Sequence, residues 1–516
     1  MTESFYLIWR NQYIRRLIRN LVCQNVLIRV DKEYLKDNQQ YLSMFTNKDT
    51  LDYNIRIRFN GGSKDYLDIN NSNRNLINDV ELKIKADFNL SKISDGVHKL
   101  ALVVTATTAT VMGQLPNSIT DLKLASSVSN ELSPPIIQQI LSNLPSHLQQ
   151  LYLGKSGKNC IQSTCVLPQS LTDLYYGYKY SSLKWLVVPP NKVYKNCMLD
   201  LESNESFQWL VENRFICTVN IDLSAVPLLK SRQLPSHVTE VHFKQDIAEP
   251  DLLLPQTVER LFFPNFVTPV SHITHLKFLC IYDECSIKLE KGVLPRSLES
   301  LSLSYDEPLE PDVLPQTITI LHLYSFNQPL CINVLPLSLT DLTLGSFNQP
   351  LNAFVLPPKL KVLNMFNFKQ PTFFADSLPM PLTDLTLYKF NGSFDQCQPL
   401  DNLKKLRIDS LVPSLAGLLT NIKKLDLWVS KTNDPSGTCL ANTSIESLYL
   451  YAVETFSPDV EKSTLYPNSL PPTIKYLSLI NVDIKSDKVI PSSCRYLKSR
   501  NSKNVPKSVR YIKSIK

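Results

Sequence analysis

Glycine is in short supply in this chain. It fills 12 of 516 positions, about 2% where globular proteins average about 7%. Phosphate-cradling glycine loops and dinucleotide fingerprints have little to be built from, and neither pattern occurs. The one adjacent pair, Gly61-Gly62, reads as a turn. HExxH, Walker A and GxSxG arrangements are also missing, as are cysteines at zinc spacing. The 11 cysteines are odd in number and form no CxxC pair. They fit free, mostly buried thiols in a reducing compartment better than a disulfide framework. No apolar run reaches the about 18 residues of a transmembrane helix. Arginines 10, 15, 16 and 19 interrupt the apolar N-terminus, so no signal-peptide core forms. These gaps lead to the expectation of a cytoplasmic, non-enzymatic protein with no cofactor and no metal.

What the chain does have is leucine, 80 residues, together with 34 prolines and 43% apolar content. That is enough for a large core and excludes wholesale disorder. By length the chain is three or four domains of about 100–200 residues, or one repeat array. The array is visible by eye. LPRSLESLSL from Leu294, LPQTITILHL from Leu314, LPLSLTDLTL from Leu335, LPPKLKVLNM from Leu356 and LPMPLTDLTL from Leu378 align without gaps. Their prolines stand at 295, 315, 336, 357 and 379, a period of 20–22. Related segments begin at Leu115, Leu144, Leu167, Leu234, Leu254 and Leu470.

Each copy follows apolar-x-x-apolar-x-apolar, as in Leu339, Leu342 and Leu344. The LxL alternation predicts a short strand with both leucines on one side. One such unit cannot bury its leucines alone; stacked units bury them in a continuous core and pair their strands in parallel. About twenty residues per turn, with a proline before each strand, leaves little room for a helix on the return path, so irregular or 3₁₀ structure is expected there.

A second element recurs out of phase with the first. Phe326-Asn327-Gln328-Pro329-Leu330 returns as Phe347-Asn348-Gln349-Pro350-Leu351. It decays to Phe368-Lys369-Gln370-Pro371-Thr372, Tyr305-Asp306-Glu307-Pro308-Leu309 and Phe266-Val267-Thr268-Pro269-Val270. LPxSLTxLxL followed by FNQPL resembles the FNIP repeat, a leucine-rich-repeat relative expanded in social amoebae. The resemblance implies a leucine-rich-repeat-like solenoid: a curved parallel β-sheet of 20–22-residue repeats with little helix on the convex side. It also implies a protein-protein interaction scaffold.

The array is expected over 49–483 and is clearest over 294–390. It starts from the decayed alternations Ile55/Ile57, Leu82/Ile84 and Leu100/Leu102. Residues 1–48 differ. Ile14, Leu17, Ile18 and Leu21 lie on one helical face, and Asp31 is placed to cap a second helix through Met44. We read this segment as a helical N-terminal cap shielding the first repeat. The family resemblance offers an alternative, an F-box-like module with which a ubiquitin-ligase substrate adaptor would bind a Skp1-like protein. Residues 484–516 hold ten Lys/Arg against Asp487 and read as basic capping repeats or a tail. Such a tail offers the further alternative of binding nucleic acid or an anionic membrane.

Histidines at 147, 237 and 272 occupy the repeat position that copies such as Ser297 and Ser338 fill with serine, so they read as stand-ins for serine. The candidate site is the outward side of the strands, where a protein partner would bind the concave strand face. One outward column is expected to run Tyr324, Gly345, Phe366, Tyr388, Asp409, Trp428, Tyr451, with Tyr449 beside its end. Aromatic side chains are enriched in interface hot spots. Tyr324, Phe366, Tyr388, Trp428, Tyr449 and Tyr451 are therefore the candidate partner-binding residues.

Overall fold

The computed structural model describes residues 11–106, 109–127, 135–154, 161–245, 254–265, 270–283, 285, 287–432, 439–453, 463–499 and 505–514. The chain divides into two compact units, Met1–His242 and Phe243–Lys516. Each is a parallel β-solenoid.

In unit 1 the ladder runs β1 (Leu27–Val30), β2 (Arg56–Gly62), β3 (Asp79–Ile84), β4 (Lys99–Val104), β5 (Asp121–Ser126), β6 (Gln150–Leu153), β7 (Asp173–Lys179), β8 (Tyr194–Leu201) and β9 (Ile216–Ile221). Every neighbouring pair is parallel. Ile55, Ile57, Leu82, Ile84, Leu100 and Leu102 are buried, as their alternation predicts. The ladder begins at β1, inside the 1–48 segment read from sequence as a helical cap. Gly61-Gly62 is not a turn: it closes β2, paired with Leu82 and Lys83. Longer returns in this unit leave room for short helices, Pro135–Leu141 and Asn204–Glu212 among them.

The N-terminal helices α1 (Gln12–Val22), α2 (Lys32–Leu42) and α3 (Asn47–Asp52) are capped by Asn11, Asp31 and Thr46. The packing of α1 runs against expectation. Its polar residues face inward, with Arg16 Nε 2.8 Å from Asp49 Oδ1 and Asn20 Nδ2 2.5 Å from the same oxygen. Burial alone would raise the Asp49 pKa. The bonds from Arg16, the Thr46 N–H and hydroxyl, and Asn20 outweigh that, and the carboxyl sits far below its ordinary value. The apolar stripe does not shield the first repeat: Ile18 and Leu21 are exposed, together with Tyr13 and Val22.

Unit 2 continues the numbering with β10 (Arg260–Phe263), β11 (Phe278–Ile281), β12 (Ser300–Leu303), β13 (Ile320–Leu323), β14 (Asp341–Leu344), β15 (Val362–Met365) and β16 (Asp384–Leu387). After these come β17 (Lys405–Ser410), β18 (Lys424–Lys431), β19 (Ser447–Ala452), β20 (Tyr476–Ile480), β21 (Tyr496–Ser499) and β22 (Tyr511–Ser514). Their pairing is again parallel in sequence order. Leu301, Leu321, Leu342, Leu363 and Leu385 share one row, so successive turns take 20, 21, 21 and 22 residues. All five are buried. Among the described residues of this unit the only helix is Leu415–Leu418, which agrees with the proline-rich returns.

Each letter of the repeat has a physical task. The proline carbonyl accepts from the N–H three residues on, as in Leu298 to Pro295, Ile318 to Pro315 and Leu339 to Pro336. This tight turn aims the chain into the strand. The serine or threonine hydroxyl then donates to a carbonyl of the preceding turn: Ser297 to Leu276 at 2.7 Å, Thr317 to Leu298 at 2.7 Å, Ser338 to Ile318 at 2.6 Å. His237 does the same work at this position through the backbone of Leu210. Burial and the Arg214 charge hold its pKa below the ordinary histidine value.

The FNQPL element builds a second ladder. Phe326, Phe347 and Phe368 are fully buried and stack at 6.4 and 6.2 Å. Asn327 Oδ1 accepts from the Asn348 N–H at 2.8 Å, and Asn348 Oδ1 from the Lys369 N–H at 2.8 Å. Gln349 and Gln370 donate to the Asn327 and Asn348 carbonyls. Phenylalanine is thus kept for the core, and asparagine and glutamine for the backbone groups that a sharp corner leaves unpaired. The decayed copy at 266–269 lies outside the described residues.

From β11 to β16 each return places one residue in the left-handed region, Gly292, Asp312, Asn333, Phe354 and Asp376 in turn, and Asn468 does so before β20. Glycine, asparagine and aspartate suit that conformation. Phe354 is the exception, at φ 61 and 69% exposed.

Candidate strand-face site

The outward face of unit 2 is built from residues that alternate with the buried leucines. Its first half is low and closed. Ser302, Thr343 and Thr386 are buried among taller neighbours. Asn364 Nδ2 donates to Thr343 Oγ1 at 3.1 Å. Tyr324 stands exposed, but the next turn carries Gly345, where a Cβ would overlap the Tyr324 carbonyl. Tyr324 is thereby separated from the next aromatic pair, Phe366 and Tyr388, whose rings stack at 5.4 Å.

The continuous aromatic column expected from sequence is broken at β17 and β18. Trp428 pairs with Arg407, not with Asp409. The sequence Leu425-Asp426-Leu427-Trp428-Val429 offers three alternating apolar residues, so two registers bury leucines equally well. The one adopted aligns Leu406 with Leu427, a spacing of 21 like the other turns. Trp428 then falls in the row of Thr343, Asn364 and Thr386, two residues away from the row of Tyr388. Beyond this step the expected alignment holds: Asp426 pairs with Tyr449, and Trp428 with Tyr451.

The six candidate residues therefore form three groups. Tyr324 stands alone in its row, Phe366 and Tyr388 are a pair, and Trp428, Tyr449 and Tyr451 are a cluster. In the cluster the Trp428 ring lies 4.3 Å from Tyr451 and 6.5 Å from Tyr449. The Arg407 guanidinium sits 5.1 Å above Trp428, a cation held on an aromatic face. Burial and the neighbouring Asp426 carboxylate push the Tyr449 phenol above its ordinary pKa, so it stays a neutral donor.

A further aromatic row adjoins this cluster and runs from the end of the array into 484–516, the segment read from sequence as capping repeats or a tail. Tyr476, Tyr496 and Tyr511 pair across β20, β21 and β22. Their rings are nearly parallel, 4.6 and 4.9 Å apart. The signal was present as KYLSL, RYLKS and RYIKS, each with tyrosine just before its apolar pair. It was missed because only positions inside the pair and just after it were read as outward. Between this row and Tyr449 the sheet is indented, enclosing about 450 Å³. Lys424, Asp426, Ser447, Tyr449, Ser478 and Lys498 take part in its lining. Among the described residues no group of His, Cys, Asp or Glu is arranged to hold a metal ion. Among the described residues no helix is long and apolar enough to cross a membrane. The described cysteines are free, and burial pushes the Cys165 and Cys397 thiols up to about 12.

Comparison with known proteins agrees with the repeat reading. Residues 305–346 and 326–368 match the FNIP Repeat family; the chain carries FNIP repeats. No curated protein matches it in sequence. Among solved structures, CroV588, described as a novel circular LRR protein, is similar at 18% identity and a TM-score of 0.43, over 85% of this chain and 78% of that one. YopM from Yersinia enterocolitica is similar at 15% identity and a TM-score of 0.29, over 82% and 86%. An internalin from Listeria monocytogenes is similar at 13% and 0.28, over 51% and 88%.

Proposed function

We propose that the protein is a non-enzymatic interaction scaffold that holds a protein partner on the strand face of unit 2, centred on Trp428, Tyr449 and Tyr451. The observation behind this is the cluster itself. Three large rings and an arginine stand outward on a rigid ladder, half-buried by one another. Tryptophan, tyrosine and arginine at the centre of a packed surface are the residue types that dominate interface energies. A sheet fixes them before binding, so little side-chain entropy is lost on association.

Affinity capture with mass spectrometry from cells expressing the full chain, compared with a Trp428→Ala, Tyr451→Ala double variant, tests this reading. Partners specific to the parent chain should be depleted by about tenfold or more, as hot-spot loss demands. An unchanged partner set would move the site off this face.

A second reading has its own observation. Helix α1 is attached by its polar side and presents Tyr13, Ile18, Leu21 and Val22 to solvent. An outward apolar helix face suits an adaptor hook, such as the F-box-like contact with a Skp1-like protein that a ubiquitin-ligase substrate adaptor requires. Co-purification of such a protein with the full chain, lost on Leu21→Glu, supports this role; its absence rejects it.

A further inference from the structure

We propose that the indentation between Tyr449 and the Tyr476–Tyr496–Tyr511 row receives a short acidic segment of the protein partner, with one side chain seated over Ser447 and Ser478 and carboxylates against Lys424 and Lys498. This assignment rests on the strand face of unit 2 being the partner site, and it specifies the partner's chemistry.

The depth of the indentation comes from the ladder register. Ser447 is flanked in its row by Lys424 and Tyr476, and Ser478 in its row by Tyr449 and Lys498. Short side chains between tall ones hollow the sheet surface. The hollow encloses about 450 Å³, within the roughly 300–1,000 Å³ of ligand pockets. That is the size of one or two side chains of an extended segment, not of a folded surface.

The charge pattern selects an acidic ligand. Lys424 and Lys498 line the hollow, and neither is in an ion pair with a described residue. Lys498 belongs to the segment 484–516, which carries ten basic residues against one acid, a field that steers acidic partners. The hollow is not uniformly basic, and this distinguishes a peptide from a polyphosphate. Asp426 lies in its wall, where it can accept a peptide N–H, a donor that a polyphosphate lacks. Ser478, a short side chain whose Oγ is buried without a hydrogen-bond partner, forms part of its floor.

The tyrosine row points the same way. Non-specific readers of single-stranded nucleic acid stack bases on open aromatic faces. Here Tyr476, Tyr496 and Tyr511 lie face to face at 4.6 and 4.9 Å. The faces between them are taken, and the ring edges remain for a ligand.

The probe is a fluorescein-labelled random copolymer of glutamate and tyrosine. Its anisotropy is measured with the full chain, with Ser478→Trp, which fills the hollow, with Lys498→Glu and with Trp428→Ala. Circular dichroism confirms that each variant is folded. Polyglutamate, a single-stranded oligothymidylate and phosphatidylserine vesicles are the comparison ligands. The copolymer should bind more tightly than polyglutamate, and Ser478→Trp and Lys498→Glu should each weaken it by about tenfold or more. No binding to the parent chain overturns the assignment, as does binding that survives both pocket variants. Oligothymidylate or vesicles that bind more tightly and depend on Lys498 overturn it in favour of those ligands. If Trp428→Ala alone abolishes copolymer binding, the strand face remains the partner site and the pocket assignment fails.

Discussion

Two stretches of unit 2 share a ladder and differ in what they present. From Leu301 to Leu385 the strands are four residues long, the turns take 20–22 residues, and Ser302, Thr343 and Thr386 are buried on the outward side. The corners are closed by stacked phenylalanines and an asparagine ladder. From Leu406 onward the strands lengthen to six and eight residues at β17 and β18. The asparagine ladder gives out, and the outward rows carry Trp428, Tyr449, Tyr451, Tyr476, Tyr496 and Tyr511. The comparison teaches that regularity and outward aromatic surface are separated here. Where the repeat is most faithful, side chains serve the stack; where it decays, large rings cluster outward, and this is where we propose that a partner binds.

The largest effect should come from the core of the regular stretch. Leu342 is fully buried, and Leu342→Ala should cost about 2–5 kcal/mol. Hydrogen exchange should show the loss concentrated in β13, β14 and β15, because solenoid stability is a sum of neighbour terms. Protection lost equally at β20 would mean the two stretches are not separable.

Next in size is the asparagine ladder. Asn348→Ala removes the acceptor for the exposed Lys369 N–H and should destabilise the stretch by about 0.5–1.5 kcal/mol, the net worth of an ordinary hydrogen bond. Urea unfolding followed by the fluorescence of a probe in this stretch measures it. A neutral result would leave the phenylalanines as the only reason for the motif.

A gain is expected at Phe354, the one large side chain among the left-handed residues. Phe354→Asn should stabilise the stretch by about 1 kcal/mol, since asparagine tolerates that backbone conformation better. A loss of stability in the same unfolding experiment would show that the exposed ring has a structural contact after all.

The smallest stability effect should fall on the C-terminal stretch. Trp428→Ala removes one outward ring and its arginine contact, worth about 1 kcal/mol or less at a partly exposed site. Thermal unfolding measures it. A destabilisation as large as that of Leu342→Ala would make Trp428 part of the core and remove it from the site.

Much of this was readable in the amino-acid order. LPxSL has a local cause for each letter, so period, strand position and buried leucines followed directly. Three features did not. The register step at Leu406 and Leu427 was hidden because Leu425, Leu427 and Val429 satisfy alternation in either register, and loop length decided between them. The inversion of α1 was hidden because an apolar stripe shows which side is hydrophobic, not whether it is covered. Asp49, 30 residues away from Arg19, attaches the polar side instead. The hollow at Ser447 and Ser478 depends on which residues become neighbours across turns of unequal length: Leu448 and Leu477 pair across 29 residues, against 21 for Leu427 and Leu406.

The central claim is that the decayed stretch, and not the regular one, meets the partner. A photoreactive phenylalanine analogue placed at position 428, and separately at 320 on the outward face of β13, tests it in cells expressing the full chain. The account predicts a discrete covalent adduct from position 428 and none from 320. An adduct from 320 with none from 428 would contradict it.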